Sequence, residues 1–83
     1  MKILYFARVR QIVGRGSEEA EVPSSVKTVS ELMEFLSARD AGVAAAFAER
    51  RTIRAAVDQN HVDLEASIVG AKEVAFFPPV TGG

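Results

Sequence analysis

The alternation of apolar and polar positions predicts strands at both ends of the chain and helices between them. Lys2 to Ala7 (KILYFA) is a short run of β-branched and aromatic types, as a strand requires. Period-two alternation puts Ile3, Tyr5 and Ala7 on one side and Lys2, Leu4 and Phe6 on the other, so both sides carry apolar groups. Arg8 to Val13 mixes polar and apolar residues and ends at Gly14, which predicts a brief helical turn with a glycine stop. Ser17 to Val22 (SEEAEV) reads as an edge or second hairpin strand, with Glu18, Glu19 and Glu21 as solvated edge charges and Pro23-Ser24-Ser25 as its stop.

The clearest helix begins after Thr28. Thr28-Val29-Ser30-Glu31 fits a capping box, in which the Thr28 hydroxyl and the Glu31 carboxylate satisfy two orphan backbone N–H groups. Val29, Leu32, Met33 and Leu36 recur at i, i+3, i+4 and i+7 as one apolar stripe, predicting a helix from Val29 to Ala38 that stops near Asp40 to Gly42. Alanine-rich Val43 to Arg50 predicts a second, shorter helix. Ile53 to Val57 reads as a strand with Ile53, Ala55 and Val57 inward. Asp58-Gln59-Asn60 is turn chemistry, His61-Val62 a short strand, Gly70 a turn point and Lys72 to Phe77 the last strand.

That order points to an α+β domain with a mixed sheet covered by helices on one face. The ubiquitin-like β-grasp arrangement satisfies it, with the first and last strands parallel neighbours in the middle of the sheet. Residues 1–77 then form the domain and residues 78–83 an extended, flexible tail. Ile3, Tyr5, Val74 and Phe76 face the helix stripe, whereas Leu4, Phe6 and Phe77 lie on a face with no helix to cover them. An uncovered apolar patch on a small domain marks a binding surface.

Composition narrows the chemistry. The 83 residues allow one core, and 48% hydrophobic with 25% charged residues is an ordinary globular mixture. Ten Lys and Arg against eleven Asp and Glu give a net charge of −1, which argues against nucleic acid. There is no cysteine, hence no disulfide, thiolate metal site, thiol nucleophile or persulfide. A single histidine, His61, cannot build a multi-His metal site, so no bound metal or cofactor is expected. With no apolar run long enough to span a bilayer and no signal-peptide pattern, the chain reads as soluble and cytoplasmic. Phosphate-loop, zincin and nucleophile-elbow motifs are absent. Asp58, His61 and Asp63 lie close in sequence but lack a nucleophile, so His61 reads as a surface residue.

The C-terminus carries the remaining signal. Pro78-Pro79 ends the last strand and keeps the exit extended, because proline fixes φ and cannot donate a ladder hydrogen bond. Val80 and Thr81 follow, then Gly82-Gly83, which present no side chain to a narrow passage. Six extended residues reach about 20 Å, enough to enter another protein's active site.

Phe6-Ala7-Arg8-Val9-Arg10 with Ile12-Val13-Gly14, Ala55-Ala56-Val57 with Gln59, and above all Glu73 to Gly83 (EVAFFPPVTGG) resemble the signature stretches of the molybdopterin synthase sulfur-carrier (small) subunits. The resemblance spans the chain and is most specific in the last eleven residues. The family is β-grasp. The resemblance implies a sulfur-donating, non-catalytic subunit of a sulfurtransferase in molybdenum cofactor biosynthesis. An E1-like adenylating enzyme would use ATP to activate Gly83, sulfur would replace AMP to give a thiocarboxylate, and the tail from Pro78 to Gly82 would pass into the large synthase subunit. There the sulfur reaches cyclic pyranopterin monophosphate, in a heterotetramer of two small and two large subunits. Phe6, His61 and Phe77 are the expected partner-binding residues. Two departures stand out. Gly70-Ala71-Lys72-Glu73 replaces the usual D-G-D-E turn, with Gly70 able to supply positive φ. His61 stands where the family usually has an apolar residue, so the rim of the patch is more polar. The alternatives are a thiamine-pathway sulfur carrier, a ubiquitin-like protein modifier, and a plain interaction module whose tail is irrelevant.

Overall fold

A computed structural model describes residues 1–79; Val80, Thr81, Gly82 and Gly83 lie outside the described residues. Five strands form one mixed sheet: β1 (Lys2–Tyr5), β2 (Ser17–Glu19), β3 (Arg54–Val57), β4 (Asn60–Val62) and β5 (Glu73–Phe77), in the order β2-β1-β5-β3-β4. β1 and β5 are parallel and central, with Ile3 paired to Val74 and Tyr5 to Phe76; every other pairing is antiparallel. This is the expected β-grasp placement of the first and last strands.

Three helices complete the fold: α1 (Ala7–Val13), α2 (Val29–Arg39) and α3 (Ala41–Ala46), with a 3-10 turn at Arg50–Thr52. The Thr28 capping box is present, the hydroxyl accepting from the Glu31 N–H at 3.1 Å and the Glu31 carboxylate accepting from the Thr28 N–H at 3.1 Å. Val29, Leu32, Met33 and Leu36 are buried and share one cluster with Ile3, Tyr5, Val74 and Phe76, so the stripe meets the inner face of the sheet. Gly14 caps α1 in the left-handed region at φ 91, where glycine is favoured.

Several boundaries differ from the sequence reading. β1 stops at Tyr5, because Phe6 is the N-cap of α1 and Ala7 takes a positive φ of 51, turning the chain out of the sheet. The second helix begins at Ala41 and ends at Ala46. Asp40, read as part of a stop, caps it by accepting the Gly42 and Val43 N–H groups at 2.8 and 3.2 Å. β2 is shorter than expected, and Glu18 is not a solvated edge charge. Its register partner is Ile3, which aims it inward; its side chain is 12% exposed and accepts the Tyr5 hydroxyl at 2.6 Å.

Arg15 and Arg39 donate to the same Glu18 carboxylate at 2.6 and 3.0 Å, and Arg15 also pairs with Asp40 at 2.9 Å. This network ties β1, β2, α2 and α3 together. Burial pushes the Tyr5 hydroxyl well above its ordinary range, and the bond to Glu18 adds to the shift. Burial also pushes the Glu18 carboxyl up, but the hydrogen bonds from Tyr5 and Arg15 outweigh it and hold it below its ordinary value. The Val43 N–H, then Arg15, hold Asp40 down as well.

Candidate docking face and tail

On the sheet face turned away from the helices, the register lines up Leu4, Ala75, Ala56 and His61 across β1, β5, β3 and β4. The two alanines sit between larger neighbours and are each 7% exposed, so they form the floor of a shallow depression of about 380 Å³. Phe6, Phe77 and His61 rise around it, with Gln59 and Glu73 completing the rim. Period-two alternation explains the split on β5: Val74 and Phe76 are 0% exposed in the core, while Ala75 and Phe77 turn outward.

Each expected partner-binding residue lies on this face. Phe77 is half-buried, and its ring centre stands 5.0 Å from that of His61, tilted by 45°. The imidazole therefore extends the aromatic surface of Phe77 onto the edge strand. Phe6 lies one residue past the end of β1 rather than within it. It keeps an extended conformation and its N–H donates to Phe76 O at 3.0 Å, so its side chain holds the outward side and is 47% exposed. Phe6 is not part of the core cluster.

The turn beneath the depression uses a device the sequence did not announce. Asp58 and Gln59 both have positive φ, 48 and 71, and form the two-residue loop between β3 and β4. The Asp58 carboxylate accepts the N–H groups of Lys72 and Glu73 at 2.9 and 3.0 Å, and its own N–H donates to Glu73 O at 2.9 Å. The start of β5 is thereby fixed against the β3–β4 turn, and Gly70 supplies positive φ, 78, in the segment before it. Asp58 is thus engaged with backbone and Asp63 accepts the Glu65 N–H at 2.8 Å, so neither joins His61 in an acid–base pair.

Beyond Phe77 the chain leaves the sheet through Pro78 and Pro79, both half-buried. Pro78 turns to the opposite side from Phe77 and borders a hollow lined by Arg8, Val9, Ile12, Ala46 and Glu49, so its ring is seated against the helices. The expected tail-passage residues Val80, Thr81 and Gly82 and the expected attachment residue Gly83 lie outside the described residues. Among the described residues there is no cluster of three or more metal-ligating side chains, and no helix long and apolar enough to cross a membrane. What the geometry offers is an outward, aromatic-rimmed sheet face with the root of the C-terminal segment at its edge.

Fold and face together define a ubiquitin-like β-grasp domain built around an exposed sheet surface. The chain belongs to the ThiS family, whose model matches residues 3–83. It is 39% identical to the molybdopterin synthase sulfur carrier subunit of Escherichia coli (strain K12), over 100% of this chain and 99% of that one. It is 33% identical to the human protein of the same name, over 100% of this chain and 93% of that one. Among solved structures, a putative molybdopterin converting factor subunit 1 from Pyrococcus furiosus is 30% identical with a TM-score of 0.70, covering 95% of each chain. SAMP1 from Haloferax volcanii shares the fold at 22% identity with a TM-score of 0.70, covering 99% of this chain and 97% of its own.

Proposed function

We propose that this protein carries sulfur for molybdenum cofactor biosynthesis, as the small subunit of a molybdopterin synthase. The observation that carries this reading is full-length likeness, at 39% and 33% identity, to proteins named molybdopterin synthase sulfur carrier subunit, with a family match that runs through residue 83. The absence of cysteine supports it, since sulfur has no side chain of this protein to ride on and must be held on main-chain carbon.

The chemistry follows from the carboxylate. A terminal carboxyl with a pKa near 3.5 is ionised at neutral pH and inert toward sulfur donors. An E1-like adenylating enzyme would bring ATP, whose α-phosphorus is attacked by the Gly83 carboxylate with loss of pyrophosphate. A sulfur nucleophile then displaces AMP and leaves a Gly83 thiocarboxylate. The large synthase subunit receives the tail, and the thiocarboxylate sulfur attacks a carbon of cyclic pyranopterin monophosphate and displaces its oxygen substituent. Water then cleaves the acyl C–S bond of the resulting thioester, leaving sulfur on the pterin and Gly83 as the carboxylate. The domain's own work is to dock through the face around Phe6, His61 and Phe77 and to aim the tail from its seat at Pro78. Adding one alanine after Gly83 tests this directly. The extended protein should fold and melt like the parent yet support no cofactor synthesis; synthesis by the untrimmed extended protein would sink the reading.

A further inference from the structure

Arginines gather at the end of the domain from which the tail departs. The register sets the two ends apart: Lys2, Glu19 and Glu73 form one terminal row of the sheet, and Arg54 with Phe77 the other. α1, carrying Arg8 and Arg10, starts at that second end, where Arg15 and Arg39 join Glu18. Arg51 sits in the turn leading into Arg54. Of the seven arginines only Arg50 turns away, toward Ser30 and Glu34 of α2. All three lysines, Lys2, Lys27 and Lys72, line a hollow at the opposite end together with Glu19 and Glu21.

Carboxylates cancel half of this arginine group and leave Arg8, Arg10 and Arg54. Glu18 and Asp40 are already engaged by Arg15 and Arg39, and Glu49 lies 3.7 Å from Arg51. Asp63, one residue beyond the Ala55–Val62 pair, keeps its charge while it accepts the Glu65 N–H, and makes no ion pair with Arg54 among the described residues. Arg8, Arg10 and Arg54 are all exposed and make no ion pair among the described residues. Arg54 is held in place by donating to the carbonyls of Arg51 and Ile53 at 3.3 and 3.1 Å, beside Phe77, and Arg8 borders the hollow where Pro78 is seated. A chain of net charge −1 thus places three exposed arginines with no ion pair among the described residues at the end from which the tail departs.

We propose that this arginine pole docks on an acidic protein surface surrounding the mouth of the channel that receives the tail. The inference rests on the carrier reading above and adds the electrostatic character of the partner. Complementary charge raises association rates by roughly 10- to 1,000-fold and orients the encounter, here with the tail leading. A protein surface fits better than nucleic acid, because these arginines are interleaved with carboxylates and adjoin the apolar face of Phe6 and Phe77. A phosphate backbone instead favours an unbroken basic surface.

The test is stopped-flow association of the full chain with the large synthase subunit from the same organism, from 20 to 300 mM NaCl. The wild-type rate should fall about tenfold over that range, since screening shortens the reach of exposed charges. R8Q/R10Q/R54Q should associate about tenfold more slowly at low salt, with a flattened salt dependence and an unchanged dissociation rate. K2Q/K72Q, at the far pole, should behave as wild type, and thermal melts check that both variants fold. A salt-independent wild-type rate, or equal slowing by both variants, would overturn the inference and leave the carrier reading standing. No binding at any salt would overturn both. Tight binding of a single-stranded RNA probe at 150 mM salt, lost in R8Q/R10Q/R54Q, would overturn the choice of an acidic protein.

Discussion

Phe76→Ala and Phe77→Ala delete the same ring from adjacent residues of β5 but from opposite faces of the sheet. Phe76 is 0% exposed, with its ring centre 4.8 Å from Phe47 and 6.3 Å from Tyr5, so truncation leaves a cavity among rigid neighbours. Such a deletion costs about 3–5 kcal/mol. A domain of this size carries roughly 4–12 kcal/mol in total, so the loss is a large share of its stability. At about 4–8 °C per kcal/mol, the melting temperature should fall by roughly 12–40 °C. Phe77 is half-buried on the outer face, its ring centre 5.0 Å from that of His61 across the intervening β3, and its truncation should cost only about 1 kcal/mol. If its ring anchors the proposed interface, truncation should weaken binding to the large subunit by about 2 kcal/mol, near thirtyfold in Kd. Urea melts paired with titration calorimetry on both variants separate the effects. If Phe77→Ala unfolds the domain while Phe76→Ala only weakens binding, the assignment of faces is wrong.

The Tyr5–Glu18 bond should limit stability at both ends of the pH scale. Glu18 and Asp40 are held below their ordinary values of 4.5 and 3.8, so their contribution is complete above those values and is lost as pH falls through the folded ones. Tyr5 is raised above 10.0, so its contribution is complete below that value and is lost as pH rises further. Urea melts should therefore show a plateau between about pH 5 and 10, and Tyr5→Phe should flatten the alkaline fall; an unchanged alkaline limb would contradict the role given to this bond. Thr28→Ala should cost about 1 kcal/mol by removing the α2 cap, and an unshifted melt would show that the cap is dispensable. Gly82→Ala should leave the melt unchanged yet slow sulfur transfer, because a Cβ obstructs a narrow passage; wild-type transfer rates would remove that reason for the glycine.

Much of this fold was legible because its signals are local and redundant. The capping box at Thr28 and the Val29–Leu36 stripe specify α2 twice over, and alternation on β5 separates Phe76 from Phe77 without reference to the rest of the chain. Boundaries set by the backbone were less visible. Nothing in KILYFARVR marks Ala7 as the turning point, since an alanine at positive φ is held there by its surroundings and not by its own preference. Asp40 carried two meanings, the end of one helix and the cap of the next, and the side-chain bonds to Gly42 and Val43 decide for the second. Glu18 was misread because an acidic run on a short edge strand looks solvated. Only the register against Ile3 places it beside Tyr5 and Arg39, partners far apart in sequence. The outward aromatic face was legible as a parity argument, whereas the placement of Arg8, Arg10 and Arg54 at one end of the sheet was not, since it follows only from the topology.

The carrier account stands most directly on one atom at Gly83. Intact-mass analysis of the chain purified from cells making molybdenum cofactor, followed by fragmentation to the last residue, reads that atom. The account predicts a species heavier by the exchange of one oxygen for sulfur, with the added mass on Gly83 and lost when the adenylating enzyme is deleted. A chain carrying only a carboxylate under active cofactor synthesis, or sulfur located anywhere but Gly83, would contradict it.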